Sequence, residues 1–327
     1  MKLCRVLFVI LAAIPALTPP VQAQEFPTRP ITLVIPMAAG DSGDIAARAI
    51  GIELSRLLNT PVVPVNRPGA GGAVAALSVV KSVHDGYTIL YTQNSALTYR
   101  PVLEPEATTY NPIRDLTPLA LASRTPMVLT VRNDGVYRSF DALIAQAKRQ
   151  PGTVRVGVPG IGSAADFSVH AINMLTDAGL TAVPFNGSSP ALSALIGGHI
   201  EAVVLTQGVV GQQIEAGALR ALAASDKLAL MPGVPTLQDL GYQHGLHGVW
   251  FAFLAPVGLP DQVKQRLQAA IRDAVMTGSV ADRLRPLGIV QDYGSPDMLT
   301  ERIRSEQQSL WLMKGKFTPA HSSTIAR

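Results

Sequence analysis

The chain is expected to be an α/β protein of two lobes, and three observations carry that expectation. Apolar runs of four to eight residues, rich in Val and Ile, alternate with longer windows of helical spacing, the pattern of βαβ units around a mostly parallel sheet. The alternation halts at a Pro-rich stretch, Pro101 to Pro118, and then resumes, so it falls into two series. The 327 residues suit two domains better than one, and a composition of 47% hydrophobic and 15% charged residues excludes a disordered or coiled-coil chain. Two lobes imply a cleft between them.

The N-terminus is set apart from both series. Val6 to Leu17 is a long apolar run, too short to span the roughly 30 Å of a bilayer core. It follows Lys2 and Arg5 and leads to Val21-Gln22-Ala23, a small-x-small ending, so residues 1–23 read as a secretory signal peptide cleaved after Ala23. Cleavage leaves 304 residues, lowers the formal net charge from +4 to +2 and removes Cys4, the single cysteine. The exported chain then has no thiol, which excludes disulfides, thiolate zinc sites and a cysteine nucleophile.

Ile31 to Ile35 is the first expected strand. Ser42 to Leu58 places Ile45, Ala49, Ile52 and Leu57 at near-helical spacing, and Asn59 and Pro61 close the helix. Val62 to Val65 is a second strand, the Gly-rich turn Pro68 to Gly72 opens a helix through Lys81, and Thr88 to Thr92 is a third strand. After the Pro-rich connection, strands are expected at Pro126 to Val131, Val154 to Val158, Thr181 to Phe185 and Ile200 to Leu205. Helices are expected at Asp141 to Arg149, Asp166 to Ala178, Pro190 to Ile196 and Val209 to Ala216. The pattern breaks at Met231 to Pro235 and Gly241 to Gly248. Trp250 to Leu254 then reads as a buried strand, followed by helices at Asp261 to Met276, Val280 to Leu287 and Pro296 to Trp311. The tail beyond Lys314 has no period.

Three small-residue loops lie between a strand and a helix, the edge of an open α/β sheet where ligands bind. Gly40-Asp41-Ser42-Gly43-Asp44 resembles the GDS block of secreted GDSL-type hydrolases, which would make Ser42 a nucleophile. Such a serine needs a base from a late Asp-x-x-His, and neither His244, His247 nor His321 has an aspartate three residues ahead. Without it, Asp41 or Ser42 is a helix cap whose neighbouring N–H groups attract anions. Gly160-Ile161-Gly162-Ser163-Ala164-Ala165 has a nucleotide-binding spelling, but the following strand ends in Asn186 with no acid for a ribose, leaving an anion cradle or a plain turn capped by Ser163. Asn186-Gly187-Ser188-Ser189-Pro190 is a third loop of this kind. His244 and His247 lack a nearby carboxylate and read as a solvated loop rather than a metal pair. The basic residues are scattered and only 5% of residues are aromatic, so no nucleic-acid surface is expected.

Several blocks occur together in order: Pro36-Met37-Ala38-Ala39-Gly40 with Asp44, Asn66-Arg67-Pro68-Gly69-Ala70-Gly71-Gly72, Asp85-Gly86-Tyr87-Thr88, Gly160-Ile161-Gly162-Ser163, Pro190-Ala191-Leu192 with Gly197-Gly198, Gly217 to Ala223, and Leu254-Ala255-Pro256. Across Phe26 to Trp311 this series resembles the Bug family, the TctC-type solute receptors of tripartite tricarboxylate transporters. The resemblance implies a periplasmic binding protein with a Venus-flytrap fold, monomeric, without catalysis or cofactor, serving a membrane permease of that type. It implies a discontinuous lobe 1 (24–125 with 248–313), lobe 2 (126–247) and a tail (314–327).

Family ligands are mostly small organic acids, held by backbone amides and waters of the loops at 36–44 and 159–166. Carried over by position, Met37, Ala38, Asp41, Ser42 and Asp44 would line the first jaw with Asn94 and Ser95. Gly160, Ser163, Ala164, Phe185, Asn186, Gly187 and Thr206 would line the second. The chain departs from the family at four places: Met37 replaces an aromatic residue, Asp41 a glycine and Leu205 an aspartate, and a histidine near Asp166 is missing. A carboxylate at Asp41 would repel an anionic ligand, and the loss at Leu205 weakens the case for an ammonium partner. A ligand sensor for a signalling ectodomain has the same sequence requirements as a transport receptor.

Overall fold

The computed structural model describes residues 26–228, 230–242, 246 and 248–314. The expected signal peptide, His244, His247 and the tail beyond Lys314 lie outside the described residues.

The chain begins with β1 (Ile31–Ile35), α1 (Ser42–Leu58), β2 (Val62–Asn66), α2 (Ala73–Val80) and β3 (Thr88–Gln93). α1 starts where Asp41 accepts the Gly43 N–H and stops at Asn59, whose φ of 49° is left-handed, as the Asn-Thr-Pro ending predicts. The expected Pro-rich connection is instead structured. A π-turn at Ser95–Tyr99 runs into the one-turn helix α3 (Arg100–Leu103), in whose first turn Pro101 fits because no N–H is needed there. The ten-residue strand β4 (Leu116–Thr125) begins inside the same stretch. Pro118 is tolerated in it because the neighbouring edge strand pairs only with the far end, from Leu121 to Arg124.

The second series comprises β5 (Met127–Arg132), α4 (Phe140–Arg149), β6 (Arg155–Val158), α5 (Ala164–Thr176), β7 (Thr181–Pro184), α6 (Ser188–Ile196), β8 (Ala202–Thr206), α7 (Gln207–Glu215) and β9 (Leu219–Ala224). α5 starts two residues before the expected Asp166 because Ser163 caps it, accepting the Asp166 N–H. β10 (Val249–Pro256), α8 (Asp261–Val275), α9 (Gly278–Leu284), β11 (Val290–Gly294) and α10 (Pro296–Lys314) complete the chain. β10 is buried at all eight positions, which its continuous apolar spelling requires of a central strand.

The strands form two sheets, ordered β11-β4-β10-β3-β1-β2 and β7-β6-β8-β5-β9. In the first, β1 is parallel to β2 and β3, while β10 is antiparallel to both β3 and β4. In the second, β6 is parallel to β7 and β8, while β5 is antiparallel to both β8 and β9. Five strands of one lobe therefore match five of the other in order and sense, although β5 opens its series and its counterpart β10 comes from the returning chain. The chain crosses between the sheets at Pro126 and again after β9. Each lobe has a dense core. Tyr91, Trp250 and Phe253 are fully buried in the first and Phe140 and Phe167 in the second, each contributing about 1.5–3 kcal/mol or more of apolar transfer.

Candidate functional site

A cavity of about 200 Å³ lies between the carboxyl ends of the parallel strands of the two sheets. From the first lobe it is lined by Pro36, Met37, Asp41 and Ser42 after β1, Gly71 after β2, and Gln93 and Ser95 at the end of β3, with Val249 and Phe251 of β10. From the second it is lined by Met127, by residues Pro159 to Ile161 and Ser163 to Ala165 after β6, by Gly187 and Ser188 at the start of α6, and by Leu205 and Thr206 at the end of β8. A wider open depression of about 570 Å³, bordered by Pro101, Tyr110, Arg304 and Trp311, gathers none of the expected site residues.

The loops after β1 and β6 are built alike. Gly40 donates its N–H to Asp44 Oδ2 at 2.9 Å, and Gly162 donates its N–H to Asp166 Oδ2 at 2.9 Å. The capping residue donates back to the residue three before it, Asp41 to the Ala38 carbonyl at 3.2 Å and Ser163 to the Gly160 carbonyl at 3.4 Å. Each cap's own carbonyl accepts the first α-helical bond, from Ile45 and Phe167 respectively. Gly40 and Gly162 hold φ of 85° and 70°, a left-handed turn that costs a non-glycine residue about 1–2 kcal/mol. The two loops differ in the capping side chain, a carboxylate in one lobe and a hydroxyl in the other.

Asp44 is only 2% exposed and faces the framework rather than the cavity. It accepts from Gly40 N, Arg48 Nε and Asn66 Nδ2, and Asn66 also reaches the Met37 carbonyl and accepts from Arg48. Burial pushes the Asp44 carboxyl up, but the hydrogen bonds from Arg48, Asn66 and Gly40 outweigh it and hold the group below the usual carboxylate range. Asn94 is likewise drawn inward, its amide donating to the Gly248 carbonyl and to Glu306 Oε1. Phe185 packs on the α6 side of the second core, and Ala38 and Asn186 are exposed at the loop rims. Thus Met37, Asp41, Ser42, Ser95, Gly160, Ser163, Ala164, Gly187 and Thr206 come together, while Ala38, Asp44, Asn94, Phe185 and Asn186 do not line the cavity.

Gly71, Gln93, Met127, Val249 and Phe251 line the cavity without being among the site residues expected from the sequence. Gly71 stands inside the NRPGAGG block, so a signal was present. Phe251 belongs to the strand expected to be buried, and its ring stacks on Tyr91 at 5.4 Å while the residue also lines the cavity. A Cβ on Gly43 would lie 2.8 Å from the Phe251 ring, so this glycine lets α1 approach the aromatic wall.

Asp41 is the one charged side chain among the lining residues. Its Oδ1 accepts from the Gly43 N–H at 3.2 Å and the Ser42 hydroxyl at 3.3 Å. Ser42 is thus engaged with a carboxylate, and no histidine lines the cavity among the described residues, so the esterase alternative has no base there. The second lobe presents helix N-termini. Among the described residues, the N–H groups of Ala164 and Ala165 in the first turn of α5 have no protein acceptor, and α6 and α7 have no side-chain cap. The Thr206 hydroxyl is buried without a protein partner among the described residues. These groups suit an anion, because unpaired N–H groups and the helix dipoles point at the same space.

The lobes touch on either side of the cavity. A Cβ on Gly162 would lie 3.0 Å from Glu104 Oε1 and 3.3 Å from Arg100 Nη1, the ion pair at the end of α3. On the other side, a Cβ on Gly208 of α7 would overlap the Leu287 carbonyl.

The family model for the tripartite tricarboxylate transporter family receptor matches residues 46–309. The chain belongs to this receptor family. The protein BugT of Bordetella pertussis is 33% identical over 312 residues, covering 94% of this chain and 96% of BugT. The solved structure of MatC from Rhodopseudomonas palustris with bound malate is 28% identical with a TM-score of 0.80, covering 88% of this receptor and 100% of that chain. An R. palustris protein with adipate is 28% identical with a TM-score of 0.81, covering 89% and 98%. The resemblance read from the ordered blocks and the two-lobed α/β fold it implied are both borne out.

Proposed function

We propose that this receptor works in the periplasm, closing its lobes on a small carboxylated metabolite and delivering it to a membrane permease of the tripartite tricarboxylate type. The observation that carries the reading is the row of helix N-termini of α5, α6 and α7 at the cavity, with the uncapped N–H groups of Ala164 and Ala165 available to a carboxylate. The malate and adipate in the two related structures support the same ligand class. Because a ligand in the cavity touches both lobes at once only when they are together, binding favours the closed form. Export through residues 1–23 would place the mature N-terminus at Gln24 and leave a monomeric soluble chain.

The test is a thermal-shift screen of the chain from Gln24 against small organic acids, followed by small-angle scattering with and without the best of them. An acid at a hundred times its Kd is expected to add about 2.7 kcal/mol of stability and to compact the molecule. Shifts with neutral solutes alone, or stabilisation without compaction, would overturn the reading.

A further inference from the structure

We infer that Asp41 makes the cavity electrically two-ended and selects a small zwitterion, a metabolite with a carboxylate at one end and a positively charged nitrogen at the other. The inference rests on the receptor reading above and narrows its ligand class.

The argument is one of unanswered charge. Among the residues lining the cavity Asp41 alone is charged, and it forms no salt bridge among the described residues. Two arginines of the first lobe are engaged elsewhere: Arg48 holds Asp44 and Asn66, and Arg100 holds Glu104. Asp41 Oδ1 takes both local donors, the Gly43 N–H and the Ser42 hydroxyl, and Oδ2 has no donor among the described residues. The matching position in the other lobe is the neutral Ser163, so the negative charge is confined to the first jaw.

The opposite wall has the reverse character. Unpaired N–H groups of Ala164 and Ala165 and the uncapped ends of α6 and α7 face the cavity from the second lobe, where a carboxylate is the natural guest. A ligand carrying a second carboxylate would set it against Asp41 in a space partly closed to water, where like charges repel strongly. A cationic nitrogen at that end answers Oδ2 with a charge-assisted hydrogen bond or a close ion pair.

Matched pairs of ligands that differ only at the distal group test this in the full mature chain. Calorimetric titrations would compare 4-aminobutyrate with glutarate and 5-aminopentanoate with adipate, in the wild type and in Asp41→Asn, which keeps a good helix cap while removing the charge. The expected result is at least tenfold tighter binding of each amino acid over its dicarboxylate in the wild type, with that preference lost or reversed in Asp41→Asn. Equal or tighter dicarboxylate binding by the wild type, or a ratio unchanged in the variant, would overturn the inference and leave the receptor reading standing. Failure of every member of both series to bind either protein would count against both.

Discussion

Tyr99 and Phe167 meet edge to face across the boundary between the lobes, with ring centroids 5.1 Å apart and planes inclined at 70°. Tyr99 lies in the turn after β3 and Phe167 on α5, and both are fully buried. Such a pair contributes about 0.5–1.5 kcal/mol beyond its buried area. Tyr99→Leu keeps an apolar side chain there but removes the ring, and ligand affinity is expected to fall about 2- to 10-fold by calorimetry. Unchanged affinity would mean that the pair adds nothing to closure.

Gly208 is the tightest point of the other side. Its neighbour is the backbone carbonyl of Leu287, which cannot rotate away as a side chain can. Gly208→Ala raises the helix propensity of α7 by about 1 kcal/mol, so the free protein is expected to melt at or slightly above the wild-type temperature. The lobes, however, can no longer meet at that point. At least a tenfold loss of affinity and absence of ligand-induced compaction in scattering are the expected outcomes, and wild-type compaction would show that the contact of α7 with the 285–287 turn is not needed for closure.

Asp44 holds the first loop through three donors, and Asp44→Ala is expected to cost about 2–4 kcal/mol in urea unfolding by leaving Arg48 and Asn66 unanswered. The pH dependence follows from the lowered folded value. The native state binds this proton less readily than the unfolded chain, whose group titrates near 3.8, so the stabilisation is complete above that pH and is lost as pH falls through the lower folded value. The difference between wild type and Asp44→Ala should therefore be constant from about pH 6 to 8 and shrink in acid. A constant difference down to pH 2 would contradict this account.

Trp250 Nε1 donates to Glu306 Oε2 at 2.9 Å, tying β10 to α10. Burial raises the Glu306 carboxyl, and the hydrogen bonds from Asn94, Thr98 and Trp250 work against that rise. Trp250→Phe is expected to cost about 2–3 kcal/mol and to push the Glu306 carboxyl higher still, a shift that carboxyl-detected NMR titration would register. A carboxyl that titrates as in the wild type would mean that the indole hydrogen bond has no hold on it.

The sequence made the parallel strands legible because β1, β6 and β8 are spelled as short Val- and Ile-rich runs, and a buried strand has little other way to be written. Strands β4, β9 and β11 are not among the elements expected from the sequence. Leu219–Ala224 is half alanine, and Val290–Gly294 contains Gln, Asp and Gly, so both depend on sheet neighbours rather than on their own propensity. Loop positions at the cavity were readable from strand-to-helix junctions. Side-chain direction was not: Asp41 and Asp44 are three residues apart at the start of α1, yet one lines the cavity and the other disappears into a hydrogen-bonded frame. That outcome turns on Arg48 and Asn66, one a helical turn away and the other on the neighbouring strand, and no local pattern announces it.

The like-built loops after β1 and β6 make the rims of the two jaws interchangeable parts. Each keeps its glycine, its inward aspartate and its backbone turns, so the capping position is free to vary without disturbing what lies beneath. Asp41→Ser would give both rims the same neutral hydroxyl and leave the uncapped ends of α6 and α7 as the remaining difference between the two walls. On the reading inferred above, one interchangeable cap sets the charge of one wall and the fixed helix ends of the second lobe set the character of the other.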